Sequence, residues 1–150
     1  MGERSERAVA QLEAERGETL RTLLGIDEAA CRTPMEWYGR RQSVGHMLRQ
    51  FTSHSLDHFQ HLHRLLQARG RTITEAQLLL MKAEAAQAEF TALVRSLSDA
   101  EFAAGGPNDG DWSAEQIIEH VIDRERRYRD AIRDVLAQPR QEGVPASSER

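Results

Sequence analysis

Histidines are concentrated in one stretch of this chain. Five of its six histidines lie between residues 46 and 63, and the sixth is His120. His54 and His58 are four residues apart, so on a helix their imidazole rings project from the same side, one turn apart. This is the spacing by which a helix offers two nitrogen ligands to one metal ion. A metal site is therefore the first hypothesis for this sequence.

The five clustered histidines do not share one helical face. His61 continues the stripe of His54 and His58, whereas His46 and His63 project elsewhere and are interpreted as surface histidines. The pair is expected to interrupt an apolar stripe rather than to lie on a fully wet face. Because helices often offer this spacing by chance, the alternative interpretation is a set of half-exposed histidines that bind no ligand.

Two histidines leave a metal ion short of protein ligands, so a third must come from another helix. His120 is the histidine outside the cluster, and by periodicity it lies at the edge of the apolar arc of its helix, which permits a ligand role. Three neutral imidazoles would leave one coordination position open, as in catalytic sites. Nitrogen ligands suit several transition metals. We expect a divalent ion, zinc or nickel.

Apolar periodicity predicts four long helices that position these histidines. The first ends at Gly25, the second runs from Ser43 to Gly70, and the other two begin with capping-box sequences at Thr74 and Ser113. A shift of 70 residues lays the first pair of helices on the second pair. The predicted fold class is therefore all-α, a four-helix bundle built from two similar helical hairpins.

Length and composition set the domain organisation. A chain of 150 residues with 39% apolar residues suits one domain, predicted over residues 1–138, and a polar, flexible C-terminal tail is predicted over 139–150. The connections over 25–42 and 98–112 are long for a bundle. They contain Trp37 and Trp112, which cap the core or line the mouth of a pocket, and we favour the core role.

Composition also excludes several classes of protein. The longest apolar run, Leu78 to Met81, is too short to cross a bilayer, and the first residues form no apolar signal, so we expect a cytoplasmic protein with no membrane partner. A net charge of −4 argues against nucleic acid as a partner.

Cys31 is the single cysteine and forms no internal disulfide, and its thiol chemistry stays open. Few aromatic residues in a short bundle favour a homodimer.

Two segments resemble a known family. Residues 112–120, which begin Trp-Ser and place His120 eight residues after Trp112, resemble an element of the DinB-like four-helix bundles. The segment from His54 to Leu66 resembles the HxxxH helix of that family. The resemblance covers most of residues 5–138 and implies a metal site made by His54, His58 and His120.

The order of these elements departs from the family, in which the lone histidine commonly comes before the pair. A two-fold relation between the two hairpins would rebuild the same ligand set with the pair first. The 70-residue shift lays Arg124 opposite His54 and Tyr128 opposite His58. The second, symmetry-related site therefore lacks ligands, and one metal ion per chain is expected.

The resemblance also implies an activity. Members of the family include thiol-dependent S-transferases and an isomerase that uses low-molecular-weight thiols, which implies a metal-dependent thiol S-transferase acting on small electrophiles. One alternative is a metal-dependent hydrolase, with Asp57, Glu119 or Glu125 as the general base. The other alternative is a non-catalytic helical-bundle dimer with a structural or vestigial metal site. The sequence assigns no catalytic residue beyond the metal ligands.

Overall fold

The computed structural model describes residues 2–138, and these are mostly helical, with one small sheet. The predicted tail over 139–150 lies outside the described residues. In chain order the elements are α1 (Glu3–Leu23), α2 (Glu28–Arg32), β1 (Pro34–Trp37), β2 (Arg40–Ser43), α3 (Val44–Ala68), α4 (Glu75–Arg95), α5 (Asp99–Ala103) and α6 (Ala114–Ala137). The four long helices α1, α3, α4 and α6 correspond to the four predicted helices.

Side-chain caps begin most of these helices, as the sequence predicts. The hydroxyl of Ser43 accepts a hydrogen bond from the backbone N–H of His46 at 3.2 Å and begins α3. Capping boxes begin α4 at Thr74 and α6 at Ser113. Such caps satisfy backbone N–H groups that have no partner within the helix. The predicted start sites of these three helices are confirmed.

The end of α3 is also encoded locally. Gly70 follows the helix with a φ of +69°, a conformation that glycine adopts without steric cost. The backbone N–H of Arg71 donates to the carbonyl oxygen of Leu66 at 3.0 Å, and that of Gly70 donates to Gln67 at 2.9 Å. This pairing closes the last turn of the helix and confirms the predicted end.

The two long connections contain regular structure that periodicity did not predict. The first holds α2 and an antiparallel hairpin in which Pro34 pairs with Ser43 and Trp37 pairs with Arg40. The second holds α5, where the backbone N–H and hydroxyl of Ser98 donate to Glu101. These hydrogen bonds hold the pKa of the Glu101 carboxyl below its usual value. Elements of four or five residues are too short to show a period.

The chain divides into two units, Met1–Ser96 and Leu97–Arg150. The first contains three of the long helices and the hairpin, and the second contains α5 and α6. This division falls at the end of α4, whereas the internal repeat divides the sequence near residue 70. One domain over 1–138, and the packing of the long helices as a four-helix bundle, stay predictions.

The apolar faces of the long helices are open to solvent. Among residues 2–138, Ser113 is buried, with 6% of its surface exposed, and no apolar side chain is buried. In the first unit the guanidinium of Arg16 on α1 lies over the ring of Phe51 on α3, 5.9 Å from its centroid. No helix of residues 2–138 is long and apolar enough to cross a membrane.

Ion pairs line the polar face of α6. Arg127 contacts Asp123 at 2.8 Å, and Arg133 contacts Asp130 at 3.3 Å. Both pairs join residues three or four positions apart, so they lie within the helix. The arginine-rich stretch of α6 is therefore a polar face with ion pairs at helical spacing.

The cap at Ser113 generates a stability prediction. Ser113→Ala removes the acceptor for the backbone N–H of Gln116 at a buried position, so we expect the free energy of unfolding to fall by about 1 kcal/mol. Urea unfolding followed by far-UV circular dichroism measures the change. Ser113→Thr keeps the acceptor and should stay close to the original chain. Ser53→Ala, at an exposed position within α3, is the control. A loss no larger than that of the control would contradict this role.

Candidate metal centre

Helix α3 brings the imidazoles of His54 and His58 together. Their ring centroids are 4.4 Å apart and the rings meet edge to face at 81°. A zinc–nitrogen bond is about 2.0–2.1 Å long, so rings at this separation are close enough to bind one ion with small rotations. The helix itself fixes the separation, because both residues lie within one continuous run of α-helix. The predicted pair is therefore formed locally.

The other histidines of α3 divide as their spacing predicts. His61 lies beyond the pair, with its ring centroid 6.3 Å from that of His58. His63 stacks on Phe59 at 6.5 Å, with the two rings nearly parallel. His46 contacts the side-chain amide of Gln50 at 3.1 Å. His46 and His63 thus have neighbours of their own, away from the candidate site.

The exposure of these rings corrects two details of the sequence interpretation. His54, His58 and His61 are exposed, because the apolar stripe that they interrupt is itself exposed in this chain. His63, interpreted as a surface residue, is half-buried, because its ring stacks on Phe59. Water can therefore hydrogen-bond to the nitrogen atoms of the His54–His58 pair, and their rings are accessible to a metal ion or a small molecule.

His120 lies on α6 in the second unit, half-buried beside Trp112. The centroid of its imidazole ring is 5.1 Å from the centroid of the indole, and the rings meet at 61°. The capping box of Ser113 anchors the backbone next to Trp112 at the start of the helix. The indole thus lies edge to face beside the His120 ring.

Both tryptophans are exposed to solvent. Trp112 is 53% exposed and contacts the candidate ligand His120, and Trp37 is 50% exposed on β1. Capping of a bundle core by the two tryptophans stays a prediction, as does the bundle itself. The sequence feature that could have predicted the contact of Trp112 with His120 is the position of Trp112 next to the N-cap residue Ser113. This position places the indole beside the first turns of α6.

The geometry supplies a ligand pair rather than a complete site. Across residues 2–138, no three His, Cys, Asp or Glu side chains are grouped closely enough to hold a metal ion. The chemistry of the donors fits a transition metal, since neutral imidazole is a common ligand for zinc, nickel and copper. A site with His54 and His58 would hold its ion through neutral nitrogen donors.

The carboxylates considered for a water-activating role are exposed. Asp57 lies between the two histidines in sequence, and Glu119 and Glu125 lie on α6. None of the three forms an ion pair with another residue of the range 2–138. An ionised and solvated carboxylate can accept a proton, but in this structure none is held against the histidine rings by a hydrogen bond.

A cavity beside Cys31 is a feature that the sequence did not reveal. It is a cleft open to solvent, of about 520 Å³, where α2 meets the start of α3, and it is lined by Glu28, Cys31, Arg32, Ser43, Gly45, Leu48 and Arg49. A Cβ atom added at Gly45 would lie 3.1 Å from the carbonyl oxygen of Cys31, so glycine permits the close approach of the two helices. Gly45 is the sequence feature that could have indicated this close approach, but hydrophobic periodicity takes no account of glycine.

Comparison with known proteins gives no relative. The chain matches no family model, no curated protein and no solved structure. The functional proposal therefore depends on the histidine geometry and on the resemblance of the two sequence elements.

The contact between Trp112 and His120 makes the indole a reporter of metal binding. In a Trp37→Phe variant, Cu²⁺ bound at His120 should quench most of the Trp112 fluorescence, because the rings are 5.1 Å apart. Cu²⁺ is suitable because it binds nitrogen sites more tightly than the other divalent ions. Fluorescence titration measures the effect. The matched Trp112→Phe variant retains Trp37, and equal quenching in the two variants would contradict binding at His120.

Proposed function

We propose that this chain binds one divalent transition metal ion, zinc or nickel, through His54, His58 and His120. The observation that carries the proposal is the His54–His58 pair, whose ring centroids are 4.4 Å apart on one face of α3. His120 is the candidate for the third ligand because it is the one histidine outside α3 and because the element from Trp112 to His120 resembles the DinB-like pattern.

The proposal includes the arrangement of the long helices as a four-helix bundle. In such a bundle, metal ligands project inward from facing helices. The two helices concerned are α3, with the pair, and α6, with the single ligand. The apolar faces of both helices give them a reason to pack, since burial of apolar surface drives the association of amphipathic helices.

The activity that we propose is transfer of a thiol sulfur to a small electrophile. With three protein ligands, a bound ion would have an open position and would lower the pKa of a thiol there, which favours the nucleophilic thiolate. The exposure of His54 and His58 leaves room for two small molecules to approach. The indole of Trp112 lies edge to face beside the His120 ring, 5.1 Å from its centroid. The thiol proton would pass to solvent or to the carboxylate of Asp57, which lies between the two histidines in sequence. The thiolate sulfur would then form a bond to the electrophilic carbon as the bond from that carbon to its leaving group breaks, and the leaving group would depart into solvent.

A non-catalytic role is the second candidate, and the same exposure favours it. Catalytic sites are usually concave and exclude water from the reacting atoms. His54 and His58 instead lie on an open helical surface in this chain. A metal ion held there would join helices and would stabilise the bundle or a dimer without catalysis.

The ligand assignment predicts the effect of single substitutions. His54→Ala, His58→Ala and His120→Ala should each weaken metal binding by ~10-fold or more, because each removes one of three donors. Isothermal titration with Zn²⁺, together with the metal content of protein purified without an affinity tag, measures affinity and stoichiometry. His46→Ala and His63→Ala are the matched controls on α3 and should bind one ion as before. Equal losses from all five changes would indicate diffuse binding along α3.

The proposed activity predicts a metal-dependent reaction. The metal-loaded chain should accelerate the reaction of a small thiol with a generic electrophile such as monobromobimane, and treatment with a chelator should abolish the acceleration. The appearance of the fluorescent product measures the rate. His58→Ala should match the chelated protein, and His46→Ala should match the original chain. Tight metal binding without acceleration would exclude the transferase and leave the non-catalytic role.

A further inference from the structure

The turn between β1 and β2 presents an aromatic pair to solvent. Trp37 and Tyr38 are 50% and 89% exposed, and their ring centroids lie 4.8 Å apart in an edge-to-face contact. Residues 37–41, Trp-Tyr-Gly-Arg-Arg, are called the hairpin tip below. The rings pack on each other, so the tip presents an ordered apolar surface.

The backbone of the hairpin tip does not explain why it carries a tyrosine. Tyr38 has a φ of +49° and Gly39 a φ of +71°, the positive pair of a two-residue type I′ turn. Asn or Gly is the favoured residue at the first of these positions, whereas a bulky residue there is strained. Tyr38 therefore combines an unfavourable conformation with an almost fully exposed ring. Strain of this kind in an exposed turn indicates a role in recognition.

Two arginines accompany the aromatic rings. Arg40 and Arg41 are exposed, and neither forms an ion pair with another of the described residues. Trp, Tyr and Arg are the residue types enriched where protein–protein interfaces concentrate their binding energy. The one acidic residue on β1 and β2 is Glu36, which leaves the hairpin with a net positive charge. Its complement is an acidic protein surface.

The second unit of the same chain carries such a surface. Residues 96–123, called the acidic segment, contain seven Asp and Glu residues and no Lys or Arg. Residues 29–73, which include the hairpin tip, contain seven Arg residues against two acidic ones. Four exposed carboxylates of the acidic segment have neither an ion pair nor a hydrogen bond to another residue of 2–138; they are Asp99, Asp109, Glu115 and Glu119.

We propose that the hairpin tip of one copy docks on the acidic segment of a second copy. A two-fold dimer makes this contact twice, because each copy offers both surfaces. Trp37 and Tyr38 then supply the apolar centre of each contact, and Arg40, which pairs with Trp37 and shares its face of the hairpin, faces carboxylates of the acidic segment. Arg41 projects from the other face and adds to the positive charge of the tip. The proposal uses residues separate from the candidate metal ligands and does not depend on metal binding.

A charge exchange between two variants tests the proposal. Sedimentation velocity should show a species of twice the 17.0 kDa chain mass that dissociates on dilution and at high salt. Arg40→Glu with Arg41→Glu, and separately Asp99→Arg with Asp109→Arg, should each give monomers. Mixing the two variants should restore a dimer, because every tip then faces a segment of opposite charge.

Tyr38→Asn separates recognition from folding. Asn-Gly suits the turn, so the hairpin should keep its stability, while the dimer dissociation constant should rise by ~10-fold or more through loss of the ring. Arg64→Glu with Arg69→Glu, on basic residues away from the tip, is the control and should leave the dimer intact. A chain that stays monomeric across the concentration range would overturn the proposal. So would a mixture of exchanged variants that fails to associate, or full-strength association of Tyr38→Asn.

Discussion

The long helices of this chain must bury their apolar faces in order to be stable. The candidate metal centre on α3 depends on that burial. The four long helices have 21 to 25 residues each, and in proteins most of the stability of such a helix comes from packing of its amphipathic face rather than from its own hydrogen bonds. The side-chain caps reduce the number of unpaired N–H groups, but each contributes only about 1 kcal/mol. Burial of the apolar stripes must supply most of the rest. The spacing of His54 and His58 exists only while α3 is helical, so the candidate metal centre depends on the same burial.

Local chemistry explains which parts of the fold could be predicted from the sequence. The start sites of α3, α4 and α6 depend on a hydroxyl and on residues three positions later, all of which are legible in one short window. The hairpin and α5 were missed because four or five residues carry no readable period. The Tyr38–Gly39 turn could not be predicted from the sequence, because tyrosine is unfavourable at a positive φ. The mutual arrangement of the long helices depends on contacts that no local pattern encodes.

The candidate site divides in the same way. The pairing of His54 with His58 follows from helical geometry, and the sequence was sufficient to predict it. The contact of Trp112 with His120 depends on the direction in which the chain enters α6, so only the three-dimensional structure reveals it. The nomination of His120 as the third ligand depends on a family resemblance and on the absence of other histidines outside the cluster. Exposure of the rings was misjudged because periodicity reports which face is apolar, and not whether that face is covered.

The close approach at Gly45 has a mechanical consequence. With no side chain between them, α2 and the first turn of α3 are in direct contact, and the N–H of Val44 also donates to the carbonyl oxygen of Thr33 at 3.0 Å. The base of the hairpin and the beginning of α3 are therefore linked by a backbone hydrogen bond and by a close helix contact. His54 lies about 15 Å further along the same rod. A displacement of the hairpin would therefore also move the first turn of α3, and with it the helix that carries His54 and His58.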